Sequence, residues 1–170
     1  IYTIRYNDWE ELGFPEWSDW HEYLDDIKKL TELHPTTPEG ASTIGLTVYN
    51  GSTTSTTSFE NRIYGTYGFG EAGGSGSMQI DIATGKLVSN YTDENSAFWQ
   101  SIAFYRYAYE LGILDPDWAV QSSSEMGEKF DSGRVFSADF YSSSSNYIKA
   151  QLAADPEYKG GWVNVPVKGT

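Results

Sequence analysis

Cysteine is missing from this 170-residue chain, and histidine occurs only twice, as His21 and His34. Without cysteine there is no thiolate zinc site, no cysteine nucleophile and no disulfide framework, and the compartment stays open because chains of this size fold on core packing alone. His21 sits among acidic residues and His34 stands beside Pro35, positions that suit solvated or dipole-satisfying side chains better than catalytic ones. With no His-x-x-x-His pair, no zinc or iron site is expected. No stretch approaches the roughly 20 continuous apolar residues of a membrane span. The opening residues Ile1-Tyr2-Thr3-Ile4 lack the charged and apolar regions of a secretion signal, which reads as a signal already removed or a segment excised from a longer chain. Basic residues are also scarce, 11 Lys and Arg against 24 Asp and Glu, for a formal charge of −13. So negative a chain repels phosphate backbones and anionic lipid surfaces, and nucleic acid is not an expected partner.

Aromatic residues, by contrast, are plentiful: 6 Trp, 13 Tyr and 8 Phe make up 16% of the chain. Flat rings stack on the apolar faces of sugars, and this is the first functional hint. Most of the rings are assigned to the core, as aromatics generally are.

Strand-like patterns at 1–5, 44–49, 78–82, 86–90, 135–141 and 161–167 alternate with helical ones along the chain. A short helix is expected at 9–12, capped by Asn7 or Asp8 and stopped by Gly13. From Trp17, the residues Trp20, Tyr23, Leu24, Ile27, Leu30 and Leu33 recur at helical spacing until His34-Pro35. Further helices are predicted at 96–111, from a capping box at Ser122 and Glu125 to Ser132-Gly133, and at 146–154. A weaker helix is predicted at 59–67, and 68–77 reads as loop because of its glycines. Ala83-Thr84-Gly85 has the makings of a hairpin turn. The expected class is α/β with a mostly parallel sheet flanked by helices, in a single domain.

Little of the remaining chemistry is distinctive. Gly68-Phe69-Gly70-Glu71-Ala72-Gly73 satisfies G-x-G-x-x-G, but the glycines run on through Gly74 and Gly76 where a phosphate-binding helix would have to open. A surface loop is the better reading. Carboxylates fall mainly on predicted helix exteriors and turns. Asp139 differs, because it lies within a predicted strand, between Ala138 and Phe140. Such an acid either satisfies nearby backbone amides or accepts hydrogen bonds from ligand hydroxyls.

Several motifs in order resemble a known family. Ile4-Arg5-Tyr6-Asn7-Asp8-Trp9-Glu10-Glu11-Leu12-Gly13, Pro15-Glu16-Trp17-Ser18-Asp19-Trp20 and Ile44-Gly45-Leu46 come first. Gly85-Lys86-Leu87-Val88, Leu111-Gly112-Ile113-Leu114-Asp115-Pro116-Asp117-Trp118 and Phe130-Asp131-Ser132-Gly133-Arg134-Val135 follow. Together they resemble the extracellular solute-binding proteins of carbohydrate ABC transporters, with one residue inserted before Asp8-Trp9. The resemblance implies one lobe of a two-lobed, periplasmic-binding-protein-like fold that closes on a sugar-type solute and delivers it to a membrane permease. It implies no enzymatic activity and no cofactor, a monomer whose cleft is completed by a first lobe missing from this chain, and an extracellular, lipoprotein-type anchor outside it. Some relatives hold calcium after the first long helix. Here the stretch from His34 to Ser42 has one carboxylate, Glu39, too few for a hard cation that takes six to eight oxygens.

By motif position the resemblance places ligand contacts at Arg5 and Tyr6, and at Asp139, Tyr141 and Ser142. Tyr67 and Phe69 join them on physical grounds, as rings on a glycine-rich loop. Hinge packing is the competing role for Arg5 and Tyr6, and core burial for Tyr141. Two other functions stay open: a free-standing carbohydrate-binding or adhesion module of a cell-surface protein, and a glycoside hydrolase fragment.

Overall fold

The structure is a computed structural model that describes residues 2–48, 68–71, 78–138, 146–158 and 160–165. Within these residues the chain forms β1 (Tyr2–Arg5), α1 (Tyr6–Glu11), α2 (Trp20–Leu33), β2 (Ile44–Thr47), β3 (Phe69–Glu71), β4 (Met78–Asp81) and β5 (Leu87–Ser89). There follow α3 (Ala97–Glu110), α4 (Ser123–Asp131), β6 (Val135–Ala138), α5 (Asn146–Ala154) and β7 (Trp162–Val165). The helix predicted at 59–67 lies outside the described residues.

Helix boundaries follow local chemistry. The Asp19 carboxylate accepts from the backbone N–H groups of His21 and Glu22 and starts α2. Ser122 and Glu125 form the expected capping box at the head of α4. Gly112, with φ of 70°, ends α3 in the left-handed conformation that glycine adopts without strain. At α1 the expectation fails: Arg5 is the N-cap residue and makes no side-chain cap, and the helix starts at Tyr6, ahead of Asn7 and Asp8. Asp8 is instead drawn to the Arg5 guanidinium, with Nε to Oδ2 at 2.5 Å.

Four strands form the main sheet in the order β2-β6-β1-β7. β2 and β6 are parallel, whereas β1 is antiparallel to both β6 and β7. The expected mostly parallel sheet is therefore mixed in its pairing. Three strands do run one way, but β1 lies between two of them in the opposite sense, and periodicity carries no information on strand direction. A parallel bridge from Leu46 to Leu114 places residues 113–115 beside β2. A second, antiparallel sheet has the order β3-β4-β5. It overturns part of the predicted 68–77 loop, because Phe69 to Glu71 pair with Asp81 to Gln79. Gln79, fully buried, joins this sheet to α3 by accepting from the Ala97 N–H and donating to Asn90.

The larger core cluster sets Tyr23, Leu24, Ile27 and Leu30 of α2 and Phe104 and Ala108 of α3 among Ile4, Leu46 and Phe136 of the strands. Burying each such side chain contributes about 1.5–3 kcal/mol. A second cluster joins Met126 and Phe130 of α4 to Ile44 and Val135, with Trp162 against it. No helix among the described residues is long and apolar enough to cross a membrane.

Candidate functional site

Strand register gives the main sheet two distinct edges. Thr47 pairs with Ala138, Ala138 with Thr3, and Tyr2 with Val165, so β2, β6 and β7 all finish at the edge where β1 begins. Ile44, Val135, Trp162 and Arg5 mark the opposite edge. Open α/β sheets take ligands outside the carboxyl ends of their parallel strands, which makes the first edge the place to look.

There the chain leaves the 113–115 segment through a tight turn. The backbone N–H of Trp118 donates to the Asp115 carbonyl at 3.1 Å, and those of Val120 and Gln121 donate to the Asp117 carbonyl at 2.9 Å. This turn displays Trp118, 38% exposed, and Val120, 84% exposed. Beneath it lies a buried polar network. Lys129 donates to both Asp115 carboxylate oxygens at 2.8 and 2.9 Å and to Asp117 at 2.9 Å. The Thr47 hydroxyl donates to Asp115 at 2.6 Å, and the Gln121 amide donates to Thr47 Oγ1 at 3.0 Å and to the Val48 carbonyl at 2.7 Å. Burial works against the Asp115 charge, yet hydrogen bonds from Lys129 and Thr47 hold its carboxyl below the usual range. Burial likewise opposes the Lys129 charge, and hydrogen bonds to Asp115 and Asp117 raise its ammonium above the ordinary value. The network fixes the turn, so the Trp118 indole sits on a rigid support, as a stacking surface requires.

A second exposed aromatic group stands at the start of α3. Trp99 donates through Nε1 to the Tyr91 carbonyl at 3.3 Å, and Phe98 packs edge-on against both rings at 5.3 and 5.4 Å. Trp99 and Tyr91 are 42% and 53% exposed.

The expected contact residues do not share one place. Arg5 and Tyr6 lie at the edge opposite the carboxyl ends. Arg5 is buried, ion-paired to Asp8, donates to the Gly133 carbonyl at 3.0 Å and lies 4.9 Å over the Phe136 ring. Tyr6 is half-buried, packs against Phe14 at 5.7 Å, and donates its backbone N–H to the Gly161 carbonyl. Both belong to the junction between β1 and α1. Phe69 is half-buried in β3 of the small sheet. Tyr67, Asp139, Tyr141 and Ser142 lie outside the described residues.

Sequence reasoning missed Trp118 and its support. One signal was present. Lys129 occupies the buried stripe of α4 with Met126 and Phe130, a position where a lysine needs a carboxylate partner. Neither the protein-family models nor the curated proteins include a match to the chain.

Proposed function

We propose that this chain is one lobe of an extracellular solute-binding protein, with a periplasmic-binding-protein-like fold, that captures a sugar-type solute without transforming it and hands it to an ABC transporter permease. The observation that carries the reading is the carboxyl edge: an exposed indole, Trp118, on a turn braced by a buried lysine between two aspartates, beside the strand ends where α/β sheets receive ligands. Two further features support it. β1 and β7 pair side by side with Tyr2 opposite Val165, so β1 begins and β7 finishes at that same edge, the placement that two adjacent connections to a companion lobe would use. The motif order from Ile4 to Val135 points to the same family.

In this reading half of the cleft belongs to the companion lobe, and Asp139, Tyr141 and Ser142 are ligand contacts by motif position alone. The isolated lobe then binds weakly, because contacts from both faces act together. The protein is a monomer, held at the cell surface by a segment outside this chain.

Calorimetry of the full-length protein against a panel of oligosaccharides tests the proposal. Saturable heat with one sugar class is expected, together with little or none for the 170-residue lobe alone. Binding of peptides with no response to any sugar would assign another solute class.

The exposed Trp99 and Tyr91 favour a second reading, a free-standing carbohydrate-binding module that needs no companion. Strong retention of the isolated chain on insoluble glycans would select that reading over the first.

A further inference from the structure

At the edge away from the carboxyl ends lies a cavity of about 630 Å³ that the sugar reading does not use. Its size falls within the roughly 300–1,000 Å³ of small-molecule pockets. Its walls come from the β1–α1 junction, the segment joining α2 to β2, the turn before β6, α5 and Tyr158.

Three observations define its chemistry. First, the lining carries four carboxylates, Asp8, Glu11, Glu39 and Asp131, against one guanidinium and one imidazole. The guanidinium is already matched, since Arg5 pairs with Asp8, and the His34 ring meets both Glu11 oxygens at 2.8 and 3.0 Å. Second, two lining residues hold buried polar atoms that bond nothing among the described residues. They are the carbonyl oxygen of Asn7 and the hydroxyl of Thr37, a residue only 8% exposed. A side-chain carbonyl oxygen only accepts, so it calls for a donor, and leaving such buried atoms unpaired is destabilising. Third, aromatic rings line it. Phe136 is one, and Tyr158 is another, its ring seated so closely on Gly160 that a Cβ there would overlap it. The Phe136 face already carries the Arg5 guanidinium, 4.9 Å from its centroid, so the apolar part of a ligand meets the Tyr158 ring.

We propose that this cavity is a binding site for a small organic cation bearing a primary ammonium group. Its N–H donors satisfy Asn7 Oδ1, Thr37 Oγ1 and a lining carboxylate, and its carbon skeleton lies against the Tyr158 ring. Neutral polyols lack the charge that the four carboxylates favour, and anions are repelled. The site is separate from the carboxyl edge, so it stands or falls independently of the sugar reading.

Titration calorimetry of the 170-residue chain with 1,4-diaminobutane at fixed ionic strength tests it, with glycerol and calcium chloride as comparisons. Saturable heat is expected from the diamine alone. Thr37→Val, which keeps the fold because the hydroxyl bonds nothing among the described residues, weakens binding about fivefold, the loss of one hydrogen bond. Glu39→Gln weakens it roughly threefold, the scale of an exposed ion pair, while Glu32→Gln, outside the cavity, leaves it unchanged. No diamine heat, equal heat from calcium, unchanged affinity in Thr37→Val, or equal weakening by Glu32→Gln would each overturn the proposal. The last outcome would reduce it to attraction by the net charge.

Discussion

Lys129 of α4 reaches Asp115 with its ammonium 2.8 Å from a carboxylate that is wholly shielded from solvent. The pair ties α4 to the 113–115 segment beside β2, and Asp117 and Thr47 complete the shell. Removing one partner strands the other charge in the interior. Lys129→Met therefore lowers unfolding free energy by about 3–5 kcal/mol, whereas Lys129→Met with Asp115→Asn together costs less than the two single changes summed. Urea denaturation of the two single variants and the double variant measures both effects.

The same pair sets a pH dependence. The Asp115 carboxyl is lower in the folded chain than in the unfolded one, so the unfolded state takes up protons first as pH falls. The stabilisation is complete above the ordinary aspartate value of about 4 and is lost as pH drops from there through the lowered folded value. Asp8 acts in the opposite sense. Burial raises its carboxyl despite Arg5, so its contribution is full below about pH 4 and is lost as pH rises through the raised value. Urea midpoints from pH 3 to 7 are expected to fall on the acid side, with a shallower fall in Asp115→Asn.

Two glycines give effects of opposite sign when changed to alanine. A Cβ on Gly45 would lie 2.6 Å from Ile113 Cβ and 3.1 Å from the Ile113 carbonyl oxygen. Neither the backbone nor the packed side chain can yield cheaply, so Gly45→Ala destabilises by about 1–3 kcal/mol. Gly127 lies within α4 and a Cβ there meets nothing within 4 Å. Gly127→Ala stabilises by about 0.5–1 kcal/mol through helix propensity. Thermal unfolding of the two variants separates them.

Trp118 gives the functional prediction. On the proposed solute-binding reading, Trp118→Ala in the two-lobed protein weakens sugar binding by about tenfold or more, the loss of roughly 1.5 kcal/mol of ring contact, without moving the unfolding midpoint. Trp99→Ala has no effect on that binding if the carboxyl edge is the site. The reverse pattern in calorimetry would move the site to the start of α3.

Local signals in the sequence account for most of the helices. Ser122 with Glu125, Asp19 ahead of Trp20, and Gly112 after the α3 stripe each act within a few residues, so spacing alone reveals them. β3 stayed hidden because Phe69-Gly70-Glu71 has neither β-branched residues nor alternation, and only its pairing with β4 makes it a strand. The reversed direction of β1 is a tertiary fact that no local pattern carries. At the carboxyl edge, Thr47 stands 68 residues before its partner Asp115, and Lys129 reaches Asp115 from the helix 14 residues further on. Read one at a time they are ordinary polar residues, and their joint role emerges only when the sheet brings them together. Arg5 shows the converse: its motif position suggested a ligand contact, while its neighbours Asp8, Gly133 and Phe136 already occupy its guanidinium.

The pairing of β1 with β7 also has a mechanical consequence. Tyr2 and Val165 lie opposite each other at the same end of an antiparallel ladder, with Arg5 and Trp162 at the far end. A pull that separates the chain at Tyr2 from the chain at Val165 loads these bonds one after another, as a zip opens, instead of all at once in shear. Tension on that seam yields stepwise at modest force, so β7 peels from β1 one residue pair at a time, starting from Tyr2 and Val165.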